Sequence, residues 1–207
     1  MKDLDYSYEY NETDRSYCYP NTNVLKNKCG IRDADELYSM ERELTMARYF
    51  SLEKEGVTGD FSLKHLCSIH EYLFQDIYDW AGKLRTVDIS KGTIFCLVQY
   101  IQPQFDALYK ELKKEQYLKN ITDKQTMSER LAYYLGEINM IHPFREGNGR
   151  TQRMYIEQLC KNNEKYEIHF SKCSKDEMLR ASIASSVCNY KLMEELMYNC
   201  LQKKGDK

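Results

Sequence analysis

Proline is scarce in this chain, with only Pro20, Pro103 and Pro143 among 207 residues, so long stretches contain nothing that would break a helix. Long apolar runs are missing. The longest fall far short of the roughly 20 residues a bilayer span requires, which excludes a membrane-crossing helix. No charged-then-apolar leader opens the sequence; Met1 to Tyr10 is acidic and rich in tyrosine instead. A cytoplasmic protein is therefore expected, with export left open. Surplus charge of one sign is also lacking, since 30 Lys and Arg face 32 Asp and Glu. No global field draws such a chain to nucleic acid, and the basic cluster from Lys110 to Lys114 is interleaved with acid like a solvated helix face. The eight cysteines include no C-x-x-C pair and no local histidine partner, so reduced thiols are expected rather than disulfides or a structural zinc. Internal repeats and low-complexity linkers are absent as well.

What the chain does have is an apolar share of 42 %, enough for one domain's core, and apolar residues at helical spacing. The first residues, 1–34, are polar with a Pro20-Asn21 turn signal and read as an extended N-terminal arm. Residues 35–207 read as a single domain. Leu37, Met40, Leu44 and Ala47 form one stripe; Leu66, Ile69, Leu73 and Ile77 form a second. Phe105, Leu108 and Leu112 follow Pro103, which suits the first turn of a helix. Leu131, Tyr134, Leu135 and Ile138 predict a helix ending near Ile141, and Thr151, Met154, Tyr155 and Leu159 predict the next. Met193, Leu196, Met197, Cys200 and Leu201 predict a C-terminal one. Only Arg85 to Val98 breaks the pattern, with two β-rich runs around Ser90-Lys91-Gly92-Thr93, a hairpin signal. The expected fold is mainly α with one short β-hairpin.

Between the two best-defined helices lies His142-Pro143-Phe144-Arg145-Glu146-Gly147-Asn148-Gly149-Arg150-Thr151-Gln152-Arg153. Pro143 disfavours helical geometry at His142, so a loop begins there. Gly147-Asn148-Gly149 can turn its N–H groups into an anion-binding nest, and the helix start that follows adds partial positive charge. Arg150 and Arg153, three apart, share one helix face and suit a polyphosphate. Glu146 beside an anion site fits only with a cation between, and Mg²⁺ takes one or two carboxylates plus phosphate oxygens. His142 is a base that titrates near neutrality. Singly, each has a plainer reading: a structural histidine, a turn, a solvated arginine face, and in Phe144 a core plug. Together within twelve residues they describe a nucleoside-triphosphate site with a proton acceptor.

The segment matches H-x-F-x-[DE]-G-N-G-R-x-x-R at every position and so resembles the Fic family. Upstream, Ile69-His70, Leu73-Phe74, Ile77-Tyr78, Trp80-Ala81-Gly82 and Leu84-Arg85 resemble that family's I-H-x-x-L-F-x-x-I-Y-x-W-A-G-x-x-R stretch. Tyr19-Pro20 and Leu25-Lys26-Asn27 resemble its small bacterial cell-filamentation members. The resemblance implies a Fic domain over 35–207, a helical bundle with a β-hairpin flap over the active site. It implies transfer of AMP from ATP to a Tyr, Ser or Thr hydroxyl of a target protein. His142 would be the base and Glu146 the Mg²⁺ ligand. Gly147, Asn148 and Gly149 would hold the α-phosphate, and Arg150 and Arg153 the β- and γ-phosphates. The flap, Ile89, Ser90, Lys91, Gly92, Thr93, Ile94 and Phe95, would dock the target main chain. Doc-type relatives, which phosphorylate, carry Lys where Gly149 stands; other Fic enzymes transfer UMP or phosphocholine.

Many Fic proteins are restrained by a helix with [ST]-x-x-x-E-[GN], whose glutamate pairs with the second motif arginine, here Arg153. Ser51, Glu55 and Gly56 match that pattern but sit close before the core. The expected partner is therefore a small antitoxin protein supplying the helix in trans, as for a toxin of a toxin–antitoxin pair. Two rivals stand beside this reading: a catalytically silent Fic-fold binding module, and a kinase or phosphatase using the same cradle.

Overall fold

The computed structural model describes residues 9–10, 16–55, 57–92 and 94–205. Among these, seven α-helices carry the fold: α1 (Ala34–Glu55), α2 (Leu63–Phe74), α3 (Ile101–Lys114), α4 (Lys124–Ile141), α5 (Asn148–Lys161), α6 (Lys175–Ser185) and α7 (Lys191–Cys200). Their starts follow local capping chemistry. The Asp33 carboxylate accepts the N–H groups of Asp35 and Glu36 at 3.1 and 2.9 Å, and Asp123 accepts that of Thr126 at 2.8 Å. Ser174 and Glu177 close a reciprocal capping box on α6. Helix α4 is the hub, packed against α3, α5, α6 and α7, while α2 joins α5 and α1 lies on α2. Leu131, Ala132 and Ile138 of α4 are fully buried. Gly136 lets α7 come close, since a Cβ there would meet the Tyr190 ring.

Two small antiparallel sheets decorate this bundle. β1 (Glu9–Tyr10) pairs with β2 (Ile89–Ser90), Tyr10 opposite Ile89. β3 (Tyr166–Ile168) pairs with β4 (Leu201–Lys203), Ile168 opposite Leu201. The short hairpin is present, with Ser90 bridged to Ile94 and the Phe95 N–H on the Ile89 carbonyl at 3.3 Å, and β2 takes a further ladder partner from the N-terminal segment. Other expectations change. Leu201 leaves the C-terminal helix stripe for β4. Ile77 lies past the end of α2, in a turn closed by its N–H to the Phe74 carbonyl at 3.0 Å.

From Ser16 onward, the expected extended arm is instead folded on the body. Cys18, Val24, Leu25 and Ile31 are buried in the core. Asn27 clamps the segment, donating to the carbonyls of Leu25 and Ile31 at 3.0 and 2.7 Å and accepting the Ile31 N–H at 3.0 Å. Burying four apolar side chains offsets the entropy of ordering that loop. All eight cysteines are free. Among the described residues no helix is long and apolar enough to cross a membrane.

Candidate active site

His142 caps the C-terminus of α4 in left-handed geometry, φ 46° and ψ 60°. The following proline keeps the helix from continuing. Its ring stacks on Phe95 with centroids 3.8 Å apart, and Nδ1 lies 3.1 Å from the Asn139 carbonyl. A carbonyl only accepts, so Nδ1 carries the proton and Nε2 the lone pair. Burial pushes the imidazole down to about 3, a shift that the Asn139 bond opposes and Arg85 and Lys91 reinforce. The ring is therefore neutral, with Nε2 as its proton-accepting nitrogen.

The loop after His142 is built from inside. Phe144 is buried, stacked 3.9 Å from His70. Asn148 clasps its backbone at both ends, accepting the Phe144 N–H at 2.9 Å and donating to the Phe144 carbonyl at 2.7 Å. The Asn148 side chain thus shapes the loop rather than facing a ligand. Gly147 sits at φ 80°, and a Cβ there would collide with the Phe74 ring. His70, fully buried, holds the other side: its Nδ1 accepts the Gly82 N–H at 2.8 Å, so Nε2 donates to the Glu146 carbonyl at 3.0 Å. Burial pushes His70 down to about 3 as well. The N–H groups of Asn148, Gly149 and Arg150 open α5 and have no carbonyl partner among the described residues. The Gly147 N–H, counted in the expected Gly147–Gly149 nest, is instead turned to the Glu146 carboxylate.

The charged members separate into two kinds. Arg150 is anchored, donating to Glu41 and, at 3.0 Å, to the Thr45 hydroxyl of α1, and lying 3.7 Å from Glu146. Tyr78 donates to the same Glu41. Arg153 makes no hydrogen bond or ion pair among the described residues, and burial draws its guanidinium down from the ordinary value. Glu146 accepts the Gly147 N–H at 2.9 Å; burial, then the Glu41 charge, raises its carboxyl. Neither Glu41 nor Thr45 was found from sequence, because nothing near the motif points to a helix a hundred residues earlier.

His142, Gly149, Arg150 and Arg153 line one cavity of about 770 Å³, together with Lys91 and Phe95 of the flap. A model of the Fic/DOC family matches residues 60–160. The Fic protein of Salmonella typhimurium is 44 % identical over 144 residues, covering 69 % of this chain and 70 % of that one. The chain belongs to the Fic/DOC family. Protein adenylyltransferase VbhT of Bartonella schoenbuchensis is 39 % identical over 190 residues, which are 91 % of this chain but 39 % of VbhT. The chain thus spans well under half of that relative. In structure it is similar to the VirB-translocated effector BepC of Bartonella tribocorum, solved with bound AMPPNP, with a TM-score of 0.86 and 26 % identity over 94 % of this chain and all of that one.

Within this Fic fold, Ile89 is buried and Ile94 is 71 % exposed. Gly92 takes φ 66° at the flap's tip; Thr93 lies outside the described residues. Ser51 sits in the last turn of α1, which ends at Glu55, and Gly56 lies outside the described residues. Arg85 was part of the resembling stretch but had no assigned task. Fully buried, it donates to the carbonyls of His142 (2.8 Å), Val87 (2.8 Å) and Cys96, with Ile141 at 3.4 Å. It therefore ties the flap's stem to the last carbonyls of α4.

Proposed function

We propose that this chain is a protein adenylyltransferase that moves AMP from ATP to a Tyr, Ser or Thr hydroxyl of a target protein. The observation that carries the reading is a neutral His142 with its lone pair on Nε2, in one cavity with the guanidinium groups of Arg150 and Arg153. His142 Nε2 takes the hydroxyl proton as the oxygen attacks the α-phosphorus; the bond from that phosphorus to the bridging oxygen breaks, and pyrophosphate leaves. The N–H groups of Asn148, Gly149 and Arg150 hold the α-phosphate oxygens as charge develops there. Arg153 holds the distal phosphates, with Arg150 fixed on Glu41 beside it.

Glu146 suits a divalent ion carried in with the nucleotide: one carboxylate oxygen is taken by the Gly147 N–H and the other is left for a cation. Among the described residues no cluster of three His, Cys, Asp or Glu could hold a metal unaided, consistent with a donor set shared with phosphate. Mg²⁺ bound there would offset charge on the leaving pyrophosphate. An exposed apolar rim of Tyr38, Met46, Phe50 and Ile183 surrounds the cavity. That rim supports docking of an inhibitory helix from an antitoxin protein, whose glutamate would pair with Arg153.

The test is incubation of the pure chain with Mg²⁺ and α-³²P-ATP in bacterial lysate. The expected result is label on a discrete protein, lost with His142→Ala and with γ-³²P-ATP. Label from γ-³²P-ATP would favour a kinase. No label from wild type, nor after removal of a co-purified partner, would favour a binding module. If the pure chain is inactive and Glu55→Gly switches it on, inhibition is internal.

A further inference from the structure

A second cavity, about 490 Å³, opens beyond the flap between α3 and α4. Phe95 lines both cavities, so the ring stacked on His142 is the wall between them. The rim of the second is flap backbone, with Ile94 71 % and Leu97 39 % exposed, and Leu108, Met140 and Ile141 line it below. Two carboxylates line it, Glu111 and Glu137, and among the described residues no Lys or Arg does. Glu111 is engaged by Tyr133 at 2.9 Å and by Arg130 at 3.3 Å. Glu137 accepts only the Tyr190 hydroxyl and has no cation in ion-pair reach among the described residues. Burial, then the Glu111 contact and the Glu137 charge, push the Tyr133 phenol up to about 12.

The flap's edges are unequal. Glu9–Tyr10 already pairs along Ile89–Ser90. On the other side the body takes both main-chain groups of Cys96, its N–H going to the Met140 carbonyl at 2.9 Å and its carbonyl to Arg85, while the Phe95 N–H turns back to the Ile89 carbonyl. An added segment therefore meets the flap at its exposed Ile94, on the rim of the second cavity. Residues two apart on a strand share a face. A side chain two positions from a hydroxyl delivered to His142 can thus drop past Phe95 into the second cavity.

We propose that this cavity is a selectivity subsite for the target, receiving a lysine or arginine side chain two residues from the modified hydroxyl. Its aliphatic stem lies on Leu108, Met140 and Ile141, and its cation meets Glu137 and Glu111. The inference rests on the flap docking the target, and it adds a substrate class: hydroxyls flanked by a basic residue.

The test uses fluorescein-labelled peptides Gly-Val-Arg-Val-Tyr-Val-Gly and Gly-Val-Tyr-Val-Arg-Val-Gly, with Glu or norleucine replacing Arg in matched controls. Anisotropy with the full chain reads binding, and α-³²P-ATP reads transfer in parallel. In at least one orientation the Arg peptide should bind about tenfold tighter than its Glu counterpart. Glu137→Gln should shrink that gap to about threefold or less. Ala107→Lys, on the exposed face of α3 at the cavity mouth, should shrink it with Glu137 intact, which covers a misfolded Glu137 variant. Equal binding of Arg and Glu peptides, no binding of any peptide, or a gap that survives both substitutions would overturn the subsite. A persistent Arg preference without label would sink the transfer reading alone; label without the preference would sink the subsite alone.

Discussion

Histidines 70 and 142 are both buried and held near pKa 3, well below the ordinary 6.5, and the pair makes the fold sensitive to acid. The unfolded chain takes up these protons as pH falls through about 6.5, whereas the folded chain resists until about 3. Stability from each is therefore fully present above the unfolded value and is lost below it. The loss is on the order of 2 kcal/mol per histidine between pH 7 and pH 5. Urea unfolding at the two pH values measures it, and His70→Phe should remove about half of the difference. For the same reason kcat/KM, which reports the free enzyme, should show no inflection near 6.5. The two arginines should part company. Arg150→Ala strands the buried Glu41 and should cost roughly 3 kcal/mol of stability; Arg153→Ala, with no ion pair to lose among the described residues, should change the unfolding free energy by about 0.5 kcal/mol or less and weaken nucleotide binding. The motif's residue types were legible in sequence because their chemistry is local. That Arg150 is anchored to α1 was not, since Glu41 and Thr45 reach the site only through tertiary packing.

At the scale of elements, the turn from α4 into α5 depends on Asn148 more than on any charge. Asn148→Ala would leave the Phe144 N–H and carbonyl buried without a partner, at about 1–3 kcal/mol. Thermal unfolding should show the drop, and ATP affinity should fall with it because the nest loses its shape. Helices with strong stripes were legible to within a few residues: α4 ends at Ile141 and Pro103 lies in the first turn of α3. Helix α6 was missed, although Ser174-x-x-Glu177 spells its capping box. Its inward stripe is thin, with Ala181 its one buried hydrophobic residue, so periodicity gave little signal. The short hairpin was legible, as the Ser90–Ile94 bridge shows; the other strand partners were not, because β-propensity does not name a partner. Strand β2 found Glu9–Tyr10, and Leu201 found β3, both distant in sequence.

The whole molecule offers two further checks. With eight free thiols and no disulfide, Tm should be the same with and without reductant. A ligand that binds only the folded state stabilises it by about 2.7 kcal/mol at a hundredfold excess over Kd. ATP with Mg²⁺ should give that increment to wild type, and Arg153→Ala should need far more nucleotide to reach it. One domain's worth of core was readable from composition. Its reach was not: Val24, Leu25 and Ile31 extend it into a segment whose polarity suggested solvent.

Arg85 gathers carbonyls from Val87, Cys96, Ile141 and His142 around one fully buried guanidinium. The flap is thereby soldered at its root by a single side chain. Protein engineers would recognise the layout as a cassette: exchanging the span between Ser90 and Ile94 for another loop should leave the carbonyls of Val87, Cys96 and His142 held where they are.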